Sequence, residues 1–109
     1  MSNEVISMFD QDEERFATLG LAAKLPSAVI DGIWDIIDQN LKGVVRLPRV
    51  LQFALIARNG QVTVAFDAQH DAIMEFDLPV NYQREFPETV AVLDDGQYQT
   101  MMLMDELSV

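Results

Sequence analysis

The dipeptide Asn59-Gly60 restricts this chain more than any other feature. Asn followed by Gly accepts the two positive φ angles of a type I′ turn, whose twist matches that of the strands it joins. It lies between two strand-like runs, Arg49 to Arg58 and Gln61 to Ala68. A two-residue loop pairs Arg58 with Gln61, Ala57 with Val62, Leu55 with Val64, Phe53 with Phe66 and Leu51 with Ala68. One face of the hairpin is then wholly apolar. The other carries Gln52, Arg58, Gln61, Thr63 and Asp67, with Ala54, Ile56 and Ala65 among them. A slip by one residue would mix the two faces, so the turn and the pattern specify the same pairing.

An apolar sheet face needs a cover, and the stretch Pro26 to Lys42 supplies one. Val29, Ile30, Ile33, Trp34, Ile36, Ile37 and Leu41 recur at helical spacing and form one arc. Pro26 suits a helix start and Lys42-Gly43 a helix stop. Trp34 is expected to be largely buried against Phe53, Leu55, Val64 and Phe66. Asp31, Asp35 and Asp38 fall on the side opposite the arc, at i, i+4 and i+7.

The rest of the chain reads more simply. The first seven residues are expected to be mobile. Arg15 to Leu21 reads as a strand ended by Gly20. Gln69 to Leu78 reads as a short strand closed by Pro79. Val80 to Glu88 reads as a loop with a turn of helix. Thr89 to Leu93 is a β-branched run, and Asp94-Asp95-Gly96-Gln97 is turn chemistry. Tyr98 to Met104 returns as a strand apolar on both faces, which suggests a central or doubly covered position. Together these elements predict one α+β domain over residues 1–109: one main amphipathic helix packed on a mostly antiparallel sheet of four to five strands.

Charge narrows the partners. Acidic residues number 18 against 7 basic ones, for a net charge of -11. That opposes direct contact with nucleic acid, whose phosphates demand Lys and Arg, and docking on an anionic membrane. It permits a basic protein partner, and a homodimer stays open. No cysteine is present, so disulfides and thiolate chemistry are excluded. No apolar run approaches the ~20 residues that span a bilayer. A cytoplasmic protein is the expectation.

Several segments together resemble a known family. They are Arg15-Phe16-x-Thr18-x-Gly20, the Leu25-Pro26 helix start, Ile33-Trp34-Asp35-Ile36-Ile37-Asp38, and the strand text around Leu51, Gln52 and Phe53. The ending Val92-Leu93-Asp94-Asp95-Gly96-x-x-x-Thr100-Met101-x-Leu103 completes the set. They look like the small Gram-positive, phage or plasmid proteins grouped as domain of unknown function 960, over roughly Met8 to Glu106. Asp71 to Glu88 departs from that family's tyrosine- and lysine-rich text. The resemblance implies a compact α+β domain in a bacterial or mobile-element setting; it carries no activity over, because the family is uncharacterised.

Candidate chemistry is sparse. His70 between Gln69 and Asp71 is a conceivable general base, though a surface loop histidine is the commoner case. Asp94 and Asp95, with Asp105 or Glu106, could hold a hard cation, yet Asp-Asp-Gly is more often a turn. A small enzyme or ligand binder near His70 and the Asp94-Asp95 turn is thus the alternative reading, and a structural or self-associating protein is another. No catalytic residue, cofactor or metal ligand is assigned. Met101, Met102 and Met104 could form an adaptable binding surface, with core filling the commoner role.

The Asp31, Asp35 and Asp38 stripe is the most ordered polar feature. Like charges at i,i+4 cost a few tenths of a kcal/mol each in an isolated helix. A solvated helix face is the plain explanation. The sharper one joins these residues with Asp12, Glu13 and Glu14 as a partner-binding surface. On that view the protein is a non-enzymatic acidic module, an inhibitor that imitates nucleic acid and occupies a basic site on its partner.

Overall fold

In the computed structural model, residues 8–67 and 73–107 are described. The elements in chain order are β1 (Glu14–Ala17), α1 (Leu19–Ala22), α2 (Ser27–Ile36), β2 (Val50–Arg58), β3 (Gln61–Asp67), β4 (Ile73–Asn81), β5 (Thr89–Asp94) and β6 (Tyr98–Leu103). A π-type turn, Ile37–Leu41, continues α2, and a 3-10 turn, Met104–Glu106, follows β6. The initial segment expected to be mobile, Ala68 with its expected pairing to Leu51, and His70 lie outside the described residues.

The hairpin forms as its turn dictates. Asn59 and Gly60 both take positive φ, 55° and 79°. Phe53 stands opposite Phe66, Leu55 opposite Val64 and Arg58 opposite Gln61. Around this hairpin the sheet grows on both sides, in the order β1-β6-β5-β2-β3-β4. β1 runs parallel to β6, and the other neighbours are antiparallel. The sheet curls into a half-barrel.

This corrects the expected architecture. The protein is mostly sheet: one six-stranded, curled, mixed sheet with one short helix, α2, and the four-residue α1 beside β1. It is not an α+β domain of four to five mostly antiparallel strands under a main amphipathic helix. Two local readings account for the difference. Arg15 to Leu21 is not one strand; Thr18 breaks it by accepting the Leu21 N–H at 3.1 Å, which caps α1. The four residues left as β1 find β6 far along the chain and add a parallel edge. Regular helix in α2 also spans fewer residues than expected, Ser27–Ile36, before the backbone widens and Lys42 N bonds Ile37 O at 3.0 Å.

The core nonetheless sits on the hairpin face that the pattern singled out. Leu51, Phe53, Leu55, Val62, Val64 and Phe66 join Val29, Ile33, Ile36, Ile37 and Leu41 in one buried cluster. Val90, Val92 and Met101 extend it along β5 and β6, and Phe9 fills it from the N-terminal side. Trp34 departs from expectation. It is half-buried at the rim, and the Arg15 guanidinium lies 4.6 Å from its ring centroid.

Pro79 does not close β4 but lies inside it. The ladder to β3 shifts register there, between Gln61 and Thr63. Proline within a sheet belongs at an edge or a bulge, and β4 offers both.

Replacing Phe53, 1% exposed, with Ala should cost about 3–5 kcal/mol, within the range for a fully buried aromatic. Trp34→Ala should cost clearly less, measured by chemical denaturation at constant m-value. An equal or larger loss at Trp34 would contradict its rim position.

Candidate functional site

The densest polar feature gathers around Arg15. On β1 its side chain faces inward, beside Gln99 of β6. Arg15 Nη1 and Nη2 donate to the two oxygens of Asp38 at 2.8 and 2.7 Å, a bidentate fork. Arg15 Nε donates to Gln99 Oε1 at 2.8 Å, and Nη2 also reaches Phe9 O at 3.2 Å. Lys42 lies 3.8 Å from the same Asp38 carboxylate. Gln99 is fully buried, and its amide donates to Asp10 O at 2.7 Å and to Glu13 Oε1 at 3.0 Å. Among the described residues no buried side-chain nitrogen or oxygen is left without a partner, as burial of polar groups requires. The cluster ties the N-terminal segment, β1, β6 and the widened end of α2 together.

Phe9 explains why so much bonding converges here. It has a φ of 61°, unusual for a bulky residue, and no exposed surface. Its N–H donates to Asp94 Oδ2 at 2.7 Å, and its carbonyl accepts from Arg15. The buried ring and both backbone bonds offset the strain of that conformation.

The six residues singled out as a partner surface separate into distinct roles. Asp38 is the anchor of the Arg15 fork, with its side chain 10% exposed. Glu13 serves Gln99. Glu14 is exposed on β1, where strand alternation turns it to the sheet face opposite Arg15. Asp12 is exposed beside the Asp10 turn, where its N–H donates to Asp10 Oδ1 at 2.9 Å. Asp31 and Asp35 are exposed on the outer side of α2, and among the described residues neither has a hydrogen-bond or ion-pair partner. The structure therefore brings Asp38 and Glu13 into one internal network, and leaves Asp31 and Asp35 as the unengaged pair on the helix. Arg15 and Gln99 belong to that network and were missed by sequence reasoning. The signal available was one cation directly after a run of acids, Asp12 to Glu14.

The Asp94-Asp95 turn is equally occupied. Asp94 is buried and accepts from Phe9 N and, at 2.8 Å, from Gly96 N. Asp95 accepts from the N–H groups of Gln97 and Tyr98, both at 2.8 Å, which hold its carboxyl below the ordinary carboxylate range. Glu106 accepts from the Thr18 hydroxyl at 2.7 Å and from Leu103 N at 2.9 Å, and these bonds lower its pKa likewise. Among the described residues no three His, Cys, Asp or Glu side chains are grouped to hold a metal ion. An open cleft lies between Lys24, Pro87, Thr89, Leu103 and Asp105.

The family of domain of unknown function 960, described as a staphylococcal protein of unknown function, matches residues 14–106. A crystal structure of a protein of unknown function from Enterococcus faecalis is similar throughout. It shares 42% identity and a TM-score of 0.90, over 96% of this chain and 100% of that one. No curated protein matches the chain. No helix among the described residues is long and apolar enough to cross a membrane.

Asp95, Glu106 and the Arg58-paired Glu75 all have lowered carboxyl pKa values in the fold. Their contribution is complete above the unfolded value of about 4 and is lost as pH falls through the lower folded values. Denaturation midpoints should therefore drop on acidification below about pH 4. Glu106→Gln should flatten that dependence. An identical pH profile in the variant would show that the Thr18–Glu106–Leu103 contacts add nothing.

Proposed function

The chain belongs to the family of domain of unknown function 960, and on that premise we propose that it is a non-enzymatic binding module for a basic protein partner. The observation that carries this reading is the pair Asp31 and Asp35: exposed on α2, about 6 Å apart along the helix axis by the usual rise, and unengaged within the described residues. A net charge of -11 surrounds them. Such a field speeds encounter with a cationic surface and disfavours acidic competitors. The partner of this kind with the greatest need for clustered Lys and Arg is one that holds phosphates. The module then acts as an inhibitor that occupies a nucleic-acid-binding site, in the cytoplasm of a Gram-positive host or on its mobile elements.

Asp38 takes no part in this contact. Its carboxylate is already bidentate with Arg15, and withdrawing it would leave a largely buried cation unpaired.

The test is capture of partners from host extract at low and high salt, with the wild type and with a double Asp31→Lys, Asp35→Lys variant. Asp38 is left intact so that the fold survives. The wild type should retain a basic protein that salt releases, since exposed charges are screened beyond ~8 Å at physiological ionic strength. DNA or RNA should compete for it. The double variant should bind on the order of tenfold more weakly at low salt, a loss of about 1.4 kcal/mol. Equal capture by the folded double variant would remove this helix face from the mechanism.

A further inference from the structure

Among the described residues the half-barrel is not closed, and its two edges differ. β1 is four residues long, and β4 is nine. The direction of each backbone group along β4 follows from the turn. A type I′ hairpin makes Arg58 and Gln61 a hydrogen-bonded pair. Alternation across β3 then turns Val64 and Phe66 toward Phe76 and Met74, their register partners. The N–H and C=O groups of Ile73, Glu75 and Asp77 are left pointing away from the sheet. Pro79, with no N–H to offer, ends this row where the register shifts.

The side chains beside that row alternate in chemistry. Met74, Phe76 and Leu78 face the core and are only half-buried. Ile73, Glu75 and Asp77 face outward and are exposed. Glu75 is bonded to Arg58, and Asp77 accepts from the buried Thr63 hydroxyl at 2.6 Å. One oxygen suffices for Thr63, so the Asp77 carboxylate retains capacity for a cation.

We propose that the β4 edge, from Ile73 to Asp77, takes up an extended peptide segment in which basic and apolar residues alternate. The backbone of the incoming strand pairs with Ile73, Glu75 and Asp77. Its apolar side chains lengthen the half-buried row of Met74, Phe76 and Leu78. Its Lys or Arg side chains lie beside Glu75 and Asp77, as cross-strand pairs of opposite charge do. A second copy of this chain fits worse. Pairing β4 with itself would set Glu75 and Asp77 against their equivalents, between molecules each carrying a net charge of -11. Like charges directly opposite destabilise a ladder. Edge charges of this kind ordinarily guard against such self-pairing, and the same charges admit a cationic strand.

This inference goes beyond the α2 surface, and the experiment separates the two. The probe is an acetylated and amidated peptide of alternating lysine and valine, titrated into the isotope-labelled full chain. Two controls are used: a block peptide of the same composition, and an alternating peptide N-methylated at every second residue. The alternating peptide should shift the amide resonances of Ile73 to Asp77 and slow their hydrogen exchange. Both controls should bind at least about tenfold more weakly, because one lacks the register and the other the donors. Equal binding by the block peptide, or shifts centred on Asp31 and Asp35, would overturn the proposal and leave the helix reading standing. The absence of any β4 shift at millimolar peptide would also overturn it. So would β4 shifts that depend on protein concentration without peptide, which would make a second copy the occupant.

Discussion

The bidentate contact between Arg15 and Asp38 is the interaction on which the rest of this structure leans. β1 is short and parallel, and a strand of that kind holds a sheet edge weakly. Arg15 secures it from the side. Its guanidinium spans Asp38 at the end of α2, Gln99 on β6 and the carbonyl of Phe9. Trp34 lies against its face. With side chains 17% and 10% exposed, neither ion is well hydrated. Loss of one partner would therefore cost more than a surface pair could.

That contact also sorts the acidic residues. A net charge of -11 destabilises a small domain by self-repulsion unless some of the charge is engaged. Asp38, Glu13, Asp94, Asp95 and Glu106 are engaged, each by a named donor. Among the described residues Asp31 and Asp35 are not, although a helix with like charges at i,i+4 is slightly less stable for them. The difference between these two groups, rather than the total charge, is what gives the partner-binding proposal its location on α2.

Legibility in the sequence followed distance along the chain. The hairpin register was legible from Phe53 opposite Phe66 to Arg58 opposite Gln61, because the Asn59-Gly60 turn and the alternation of Phe53, Leu55, Val62, Val64 and Phe66 demand one pairing. The Asp94-Asp95-Gly96 turn was legible for the same local reason, and Gly96 takes a φ of 95°. The sheet as a whole was not. β1 pairs with a strand more than eighty positions away, as Arg15 and Gln99 illustrate, and no local pattern announces such a pairing. Pro79 misled because its effect depends on whether a strand is an edge, which only topology decides. Asp38 misled likewise. Helical spacing places it with Asp31 and Asp35, but the widened turn at Ile37–Leu41 and an arginine 23 residues earlier claim it for the interior.

A double-mutant cycle on Arg15→Met and Asp38→Asn, read by denaturant unfolding, tests the central contact most directly. The expected interaction energy is about 0.5–3 kcal/mol, the range for groups within one network. Each single variant should lose more stability than Asp31→Asn, whose surface position predicts a change within about 0.5 kcal/mol. Additive losses from Arg15 and Asp38, within about 0.3–0.5 kcal/mol of their sum, would contradict the account. They would mean that β1 and the end of α2 are held in place by packing alone.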